Sequence, residues 1–351
     1  MNDSVETVRQ FSLRTPDDFH VHFRQGEMLT SVVPHTSKAF GRALVMPNTM
    51  PPIVLSEQVS HYRSAILAAS GPGFEPLMTI KLLPTTTPEM ILAAKKAGIV
   101  AVKLYPEGVT TNSNDGVSID DIGQIYPALR MMQQEDIVLS IHGEKPGIFI
   151  LDREEMFLSV LAEVARDFPT LRIVLEHITT ASAVHAVKAL GPGIAATITL
   201  HHLLLTLDDV LACKGVGGES LNPHHYCKPV AKREADRRTL RNAAFSGDPK
   251  FFFGSDTAPH LKEKKECSSG CAGVWSAPVA LPLLVEIFDE AGKLDRLEAF
   301  VSEFGARFYG LPLNEKRVTL YQSLSPIVVP EVIDGVVPFW AGKLLKWQII
   351  S

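Results

Sequence analysis

The chain has 351 residues, of which 46% are hydrophobic and 21% are charged, and this composition is typical of a folded globular protein without long disordered tracts. A formal net charge of -5 leaves no excess of basic residues to neutralise phosphates, so no nucleic-acid partner is expected. The most apolar late segment, residues 274–288, is too short to cross a bilayer and the polar N-terminus lacks the apolar core of a secretory signal, so we expect a cytoplasmic protein with no membrane partner.

Short runs rich in valine, isoleucine and leucine alternate along the chain with longer segments of helical periodicity. Strands are predicted at residues 18–23, 43–46, 77–83, 99–104, 137–142, 171–177, 193–200 and 250–256. Helices are predicted at residues 56–69, 88–97, 119–135, 153–168, 181–190 and 234–246, with a further buried helix at 274–288. Eight strands with intervening helices predict a closed (β/α)8 TIM barrel. We expect one domain over residues 1–351, with a C-terminal appendage that begins at about residue 314 and packs on the barrel.

Polar side chains stand at the ends of several predicted strands. His20 and His22 are one residue apart, so in an extended strand both imidazoles point to the same face. His142, His177 and Asp256 each end another strand of apolar type. The carboxyl ends of barrel strands converge on one face, where active sites lie. Because imidazole and carboxylate ligands suit a catalytic zinc pair, these residues predict a metal centre.

Lys103 is the one charged residue in a strand otherwise suited to complete burial. A lysine that reaches from a strand end to solvent is one explanation. Beside histidines and an aspartate, a lysine with a lowered pKa can instead react with carbon dioxide to give a carbamate that bridges two cations. The predicted set then divides into His20, His22 and Asp256 on one zinc ion, His142 and His177 on the other, and carboxylated Lys103 shared. Two zinc ions activate a water for amide hydrolysis, and Asp256 is the predicted catalytic acid and base.

Four short motifs resemble class II dihydroorotases of the amidohydrolase superfamily. They are DFHVHFR, MPNTMPP, AVKLYP and GSDTAPH, and with the strand ends at His142 and His177 they follow in that family's order along nearly the whole chain. The resemblance implies interconversion of N-carbamoyl-L-aspartate and (S)-dihydroorotate, a small-molecule step of de novo pyrimidine biosynthesis. It implies the same six ligands, two zinc ions and a homodimer. Lys228 replaces a leucine of bacterial relatives and resembles the fungal, stand-alone type.

The resemblance also implies the substrate contacts, which spacing alone does not supply. They are His22, Arg24, Asn48, His142, Lys228, His260 and Ala272, with backbone contacts at Lys228 and Ala272. Arg24 could otherwise form an ordinary salt bridge, Asn48 could be a turn residue, and His260 could be a surface histidine. We expect Arg24 to bind the substrate carboxylate as a planar fork and His260 to add a second cation.

The polar, glycine-bounded run 107–116 follows Lys103 and is short of apolar anchors, so we expect a mobile segment. It could be an ordinary solvent loop. Its origin at the rim of the site predicts a lid instead, and Thr110 and Thr111 match hydroxyl residues that close over substrate in the family. The pairs His201-His202 and His224-His225 fall outside the six-residue pattern and are expected to be structural.

Two other functions fit parts of the pattern. A hydantoinase or dihydropyrimidinase would share the carbamate bridge, although such relatives usually have longer chains. A non-catalytic binding protein could use the same barrel after loss of its ligands, but none of the six ligand positions is missing here.

Overall fold

The protein is described here from a computed structural model that covers residues 9–215 and 218–350. Its strands, in chain order, are β1 (Gln10–Arg14), β2 (Asp17–Val21), β3 (Arg42–Val45), β4 (Glu75–Leu82), β5 (Ile99–Leu104), β6 (Val138–His142), β7 (Ile173–Glu176), β8 (Ile194–Ile198), β9 (Cys213–Gly215), β10 (Gly218–Ser220), β11 (Phe251–Phe253), β12 (Arg317–Val328) and β13 (Leu344–Ile349).

Eight of these strands form one parallel sheet in the order β2-β3-β4-β5-β6-β7-β8-β11. A parallel bridge between Val21 and Thr257 joins the first strand to the segment that follows the last one, and the amide of His22 donates to the carbonyl of Thr257 at 2.9 Å. The sheet therefore curls into a barrel, which confirms the predicted fold class. Nearly every residue of these strands is buried, as expected when one face of the sheet points into the barrel and helices cover the other.

Helices cover the outside of the barrel. They are α1 (Gly26–Ser37), α2 (Ser56–Ala69), α3 (Pro88–Lys96), α4 (Tyr126–Gln134), α5 (Arg153–Asp167), α6 (Ala181–Ala189), α7 (Leu200–Leu204), α8 (Asp208–Leu211), α9 (Glu234–Phe245), α10 (Lys262–Lys265), α11 (Ala280–Glu290), α12 (Leu294–Glu298) and α13 (Phe304–Phe308), with 3₁₀ helices at Ile119–Ile125 and Pro223–His225 and a π-helix at Ala299–Glu303.

Helix starts follow the local sequence. Thr87 and Thr180 accept hydrogen bonds from amides in the first turns of α3 and α6, and Pro88 begins α3, where a missing N–H is tolerated.

Three helical segments differ from the sequence prediction. Helix α1 was not predicted, and Pro34 lies inside it. The predicted helix 119–135 is divided, because Asp121 has non-helical backbone angles and Pro127 stands at the start of α4. The predicted helix 274–288 begins only at Ala280, after Pro278.

Both ends of the described chain contribute to a second, antiparallel sheet of order β1-β12-β13. Phe11 pairs with Leu320, and Leu320 pairs with Ile349. The amide of Lys346 donates to Glu286 on α11 at 3.2 Å, and Trp347 is buried. The segment after residue 314 thus packs on the barrel together with β1, a strand that the sequence did not predict.

Aromatic rings fill the N-terminal end of the barrel. Phe19 stacks on Tyr309 with ring centroids 5.0 Å apart and meets Phe252 edge-on at 5.3 Å. Gly305 packs so closely that an added Cβ would lie 2.2 Å from the Phe19 ring. Because this end is filled, the cavity of the barrel opens at the carboxyl ends of the strands. No helix of the described residues is long and apolar enough to cross a membrane.

Candidate active site

The structure brings all six predicted metal ligands to the carboxyl ends of the barrel strands. His20 lies in β2, Lys103 in β5 and His142 at the end of β6, while His177 and Asp256 follow β7 and β11. The ring centroid of His177 is 5.0 Å from that of His20 and 4.8 Å from that of His142. The cavity beside them is lined by five of the six, and Lys103 is buried beneath it.

Unusual backbone conformations direct three residues of the site towards the cavity. Arg24, His177 and Asp256 have φ values of 60°, 42° and 47°, in the left-handed region that non-glycine residues rarely adopt. Such a conformation costs about 1–3 kcal/mol and persists where surrounding contacts impose it. The strand predicted at 18–23 therefore ends earlier, at Val21, and the turn that follows it places Arg24 at the cavity.

His20, His22 and Asp256 form one group whose ligand atoms all lie within 4.8 Å of one another. Oδ1 of Asp256 is 3.1 Å from Nε2 of His22 and 3.4 Å from Nε2 of His20. Burial lowers the pKa of both histidines, which keeps their rings neutral. Burial alone would raise the pKa of Asp256, but the hydrogen bond with His22 and electrostatic interactions with the side chains around it, including Lys103, bring it to about 2. Neutral imidazoles beside a carboxylate are the protonation states that bind a cation.

Lys103 is fully buried, and its Nζ has no hydrogen-bond partner among the described residues. Burial lowers the pKa of this amine to about 8, against the opposing charges of Glu176 and Asp256. Its nearest aromatic neighbour is Tyr105, whose ring centroid is 5.3 Å from Nζ. A lowered pKa increases the fraction of uncharged amine, which is the form that reacts with carbon dioxide, so the site fits a carboxylated lysine.

Glu176 holds His20 in place from beneath. Its carboxylate accepts hydrogen bonds from Ser140 Oγ at 2.5 Å and Thr197 Oγ1 at 2.6 Å. Oε2 also lies 2.9 Å from Nδ1 of His20. With Nδ1–H donated to Glu176, Nε2 of His20 is left without a hydrogen-bond partner and faces the group formed with Asp256. A carboxylate that fixes the tautomer of a histidine in this way is usual behind metal ligands.

The second pair, His142 and His177, also has nitrogens suited to a cation. Nε2 of His142 is 2.7 Å from Oε2 of buried Glu144. Nδ1 of His177 is buried without a hydrogen-bond partner in the described chain, and burial lowers the pKa of this ring well below its usual value. Together with Nε2 of His20 and Nζ of Lys103, this nitrogen marks a place where polar atoms converge without protein partners, which fits bound metal.

Glu176 and Glu144 were missed by the sequence reasoning. Glu176 immediately precedes His177 in a buried strand, and Glu144 follows His142 by two residues. A charged residue inside a buried strand was the signal that drew attention to Lys103, and Glu176 carries the same signal.

Arg24 and Ala272 line the cavity, and His260 contacts both of them from outside its lining. Arg24 donates through Nε to the carbonyl of Pro259 at 3.0 Å, and its second terminal nitrogen lies 3.0 Å from Nε2 of His260. Burial, followed by the charge of Arg24, lowers the pKa of His260 to about 3. His260 is therefore neutral in the structure, and the expectation of a second cation is wrong. Lys228 also lines the cavity.

Thr110, Thr111 and Asn48 line the opposite wall. Asn48 Nδ2 donates to the carbonyl of Thr111 at 3.1 Å, so Asn48 contacts the loop as well as the cavity. Lys81 Nζ donates to the carbonyl of Asn112 at 2.7 Å and pairs with Asp115. These contacts anchor the loop 107–116 at the cavity.

One of these anchors is apolar. Val109 lies within the loop and is buried, so the expectation that the loop lacks apolar anchors is wrong.

The remaining histidine pairs lie outside this cavity. His202 hydrogen-bonds Thr199 at 2.9 Å and the carbonyl of Pro229 at 3.1 Å, and Cys227 Sγ is 3.5 Å from its Nε2. His201, His202 and Cys227 are close enough to hold an ion. However, burial raises the pKa of Cys227 to about 12, which keeps the thiol protonated and makes it a poor ligand.

Comparison with known proteins agrees with this geometry. The amidohydrolase family model matches residues 18–314. A dihydroorotase from Nitrosococcus oceani is 48% identical over 352 residues, covering 97% of this chain and 99% of the relative. The crystal structure of Saccharomyces cerevisiae dihydroorotase with 5-fluoroorotic acid matches with a TM-score of 0.90 at 38% identity, over 98% of this chain and 99% of that one.

An L-hydantoinase (dihydropyrimidinase) from Arthrobacter aurescens matches with a TM-score of 0.80 at 16% identity, over 97% of this chain and 83% of that one, which shows a shared fold alone. Since a bacterial relative is 48% identical and the yeast structure 38% identical, these values do not single out the fungal type predicted from Lys228.

Proposed function

The chain belongs to the amidohydrolase family, and from that premise we propose that it is a metal-dependent enzyme that catalyses the dihydroorotase reaction. In this reaction N-carbamoyl-L-aspartate closes to (S)-dihydroorotate with loss of water, and the reverse step opens the cyclic amide. The reaction belongs to de novo pyrimidine biosynthesis. The observation that carries the proposal is the position of Arg24 in the same cavity as the histidine and aspartate group, since the substrate needs both an anion site and amide chemistry.

The proposed metal content is two zinc ions per chain. His20, His22 and Asp256 would hold one ion, His142 and His177 the other, and Lys103 carboxylated at Nζ would bridge them. Support comes from the unpartnered buried nitrogens of His20, Lys103 and His177. When bound, the zinc pair activates a water and polarises the ring carbonyl.

Asp256 is the proposed catalytic residue. Its carboxylate is ionised at neutral pH, as its low pKa requires, and it lies at the cavity surface beside His22. In ring opening it accepts a proton from the attacking water and delivers it to the leaving ring nitrogen. In ring closure the same carboxyl group moves the proton in the opposite direction.

Substrate binding is assigned to the two walls of the cavity. On one side, Arg24 and, beside it, neutral His260 would donate hydrogen bonds to the substrate carboxylate, and the backbone of Ala272 would add a further contact. On the other wall Asn48 contributes its side-chain amide. The backbone of Lys228 and the rings of His22 and His142 complete the proposed contacts, and Thr110 and Thr111 close over the bound ring.

The carboxylate site separates this function from that of a hydantoinase. An unsubstituted hydantoin ring has no carboxylate for Arg24 to bind, so a buried guanidinium at the substrate wall would be left without its anion.

One experiment distinguishes these functions. Purified protein is analysed for metal and assayed on dihydroorotate and on hydantoin. We expect about two zinc ions per chain by the ligand count above, with turnover of dihydroorotate and not of hydantoin. Arg24→Met should impair dihydroorotate turnover while zinc content is retained. Turnover of hydantoin alone would favour the alternative, and a protein without metal or activity would favour a binding role.

A homodimer and a cytoplasmic location complete the proposal. The dimer rests on the family resemblance, and sedimentation velocity tests it. The location is supported by four free cysteines, which suit a reducing compartment.

A further inference from the structure

Lys265 is a buried lysine that the proposed mechanism does not use. It is the last residue of α10 and is 4% exposed, whereas Lys262 and Lys264 of the same helix are exposed. Its Nζ donates to the carbonyls of Tyr226 at 3.2 Å and Cys271 at 2.9 Å. A third bond reaches the carbonyl of Gly273 at 2.5 Å. All three partners are uncharged backbone oxygens, so none of them neutralises the charge of the ammonium.

Those carbonyls belong to the two segments that carry the proposed backbone contacts. Cys271 and Gly273 flank Ala272, and Tyr226 precedes Lys228 by two residues. The amide of Gly273 donates to the carbonyl of Tyr226 at 2.9 Å, which joins the segments.

The same segments fit tightly against the residues that carry the anion site. Gly273 has φ +150°, and an added Cβ would lie 2.6 Å from the carbonyl of Ala258. Nε2 of His260 lies 3.1 Å from the carbonyl of Ala272.

The planarity of the peptide bond gives the contact at Cys271 a direction. The carbonyl of Cys271 and the N–H of Ala272 belong to one trans peptide, so the two groups point in opposite directions. While Lys265 holds the carbonyl, the N–H of Ala272 points away from Lys265, and Ala272 lines the cavity on that side. The ammonium therefore fixes the orientation of an amide donor at the cavity, where the proposed substrate carboxylate would bind.

We propose that Lys265 is a positioning residue for substrate binding, which holds the 226–228 and 271–273 segments so that the Ala272 amide and the Arg24–His260 pair meet the substrate carboxylate together. This inference rests on the proposed function. The buried positive charge of Lys265 also attracts the substrate carboxylate, because little solvent screens it.

Titration of Lys265 gives the inference a pH signature. Burial lowers the pKa of its ammonium to about 8, and the titratable groups that face it are Cys227, Cys271, Arg24, His260 and His201. Above that pH the neutral amine retains fewer donors and no charge. The KM for dihydroorotate should therefore rise between pH 7.5 and 9.5 more steeply than kcat changes.

The test compares Lys265→Met, Lys265→Arg and the exposed control Lys264→Met in steady-state assays on dihydroorotate. We expect Lys265→Met to raise KM by about tenfold or more, the loss of one charge-assisted contact, with kcat and zinc content close to wild type. Its KM should no longer rise above pH 8. Lys265→Arg should recover part of the affinity, and Lys264→Met should match wild type.

Each outcome decides the inference. An active Lys265→Met protein with unchanged KM would overturn the inference and leave the proposed function intact, whereas wild-type protein inactive on dihydroorotate would overturn both. If Lys265→Met does not fold, the wild-type KM profile decides, because a flat profile through pH 8 contradicts the role of the ammonium.

Discussion

His20 and Glu176 meet inside the barrel, with Nδ1 of the imidazole 2.9 Å from Oε2 of a carboxylate that is itself buried. Ser140 and Thr197 hold the same carboxylate from two neighbouring strands. The orientation of a proposed metal ligand in β2 is thus set by residues of β6, β7 and β8. Removing this support should affect metal binding before it affects folding.

Glu176→Gln should weaken zinc binding by about 10- to 100-fold, the usual effect of losing a carboxylate behind a histidine ligand. The amide keeps the shape of the side chain but has no negative charge to balance the imidazole. Zinc retained after dialysis against a graded chelator measures the effect. Glu89→Gln, on the exposed face of α3, is the control. Equal zinc retention in both variants would contradict the role of Glu176.

Lys103→Ala should lower bound zinc and abolish turnover, because no bridging carboxylate can form. Short carboxylic acids added to the assay should restore part of the activity by entering the vacated space. Lys81→Ala is the matched control, since Lys81 pairs in register with Lys103 on the adjacent strand but contacts the loop at Asn112 and Asp115. Metal analysis should show full zinc in Lys81→Ala. Full activity in Lys103→Ala would exclude the bridge.

The double variant Thr110→Ala, Thr111→Ala should reduce kcat by about tenfold, the effect of losing one hydrogen bond to a charged group. The two side chains line the cavity but are not among the proposed ligands, so zinc content should stay at the wild-type level. Thr30→Ala on α1 controls for general effects of the substitution. Unchanged turnover in the double variant would remove the proposed lid role.

Glu154 should make stability depend on pH. Burial raises the pKa of this carboxyl to about 7, although Thr179 donates to it through both its amide and its hydroxyl. A raised pKa means that the folded state binds the proton more tightly than the unfolded state. This contribution is complete below the ordinary pKa of 4.5 and is lost as pH rises towards 7.

Denaturation in urea at pH 5 and pH 7.5 measures this contribution. The free energy of unfolding should fall by about 2–3 kcal/mol across that range from Glu154 alone, and Glu154→Gln should flatten the dependence. Exposed Glu155→Gln should leave it unchanged. Parallel pH profiles for wild type and Glu154→Gln would contradict the assignment.

The alternation of apolar and polar segments along the chain predicted the barrel well, because each of its strands is an apolar run between polar segments. Helix α2 was predicted with its observed bounds. Helix α1 was missed because Pro34 argues against a helix, yet packing of Leu29, Val32 and Val33 against the core outweighs it. Strand β1 was missed for a different reason: Phe11 pairs with Leu320, and no local signal reports a partner that distant.

The same distinction holds at the site. His20, His22, Lys103, His142, His177 and Asp256 could be selected because each interrupts or ends an apolar run. The neutral state of His260 could not be predicted, because it depends on burial beside Arg24. Lys265 gave no signal in the lysine-rich helix α10, since only the fold reveals which of its lysines points inward.

The barrel closes where β2 meets the segment that follows β11. The bridge of Val21 with Thr257 and the hydrogen bond from the Ser255 amide to Asp18 contribute to this join. The strand pairs β3–β4 and β4–β5 share longer ladders of paired residues. His22 follows β2 and Asp256 follows β11, so the two residues lie on opposite sides of this join. A cation held by both would link the first strand of the barrel to the last, so bound metal should stabilise the closed barrel against unfolding.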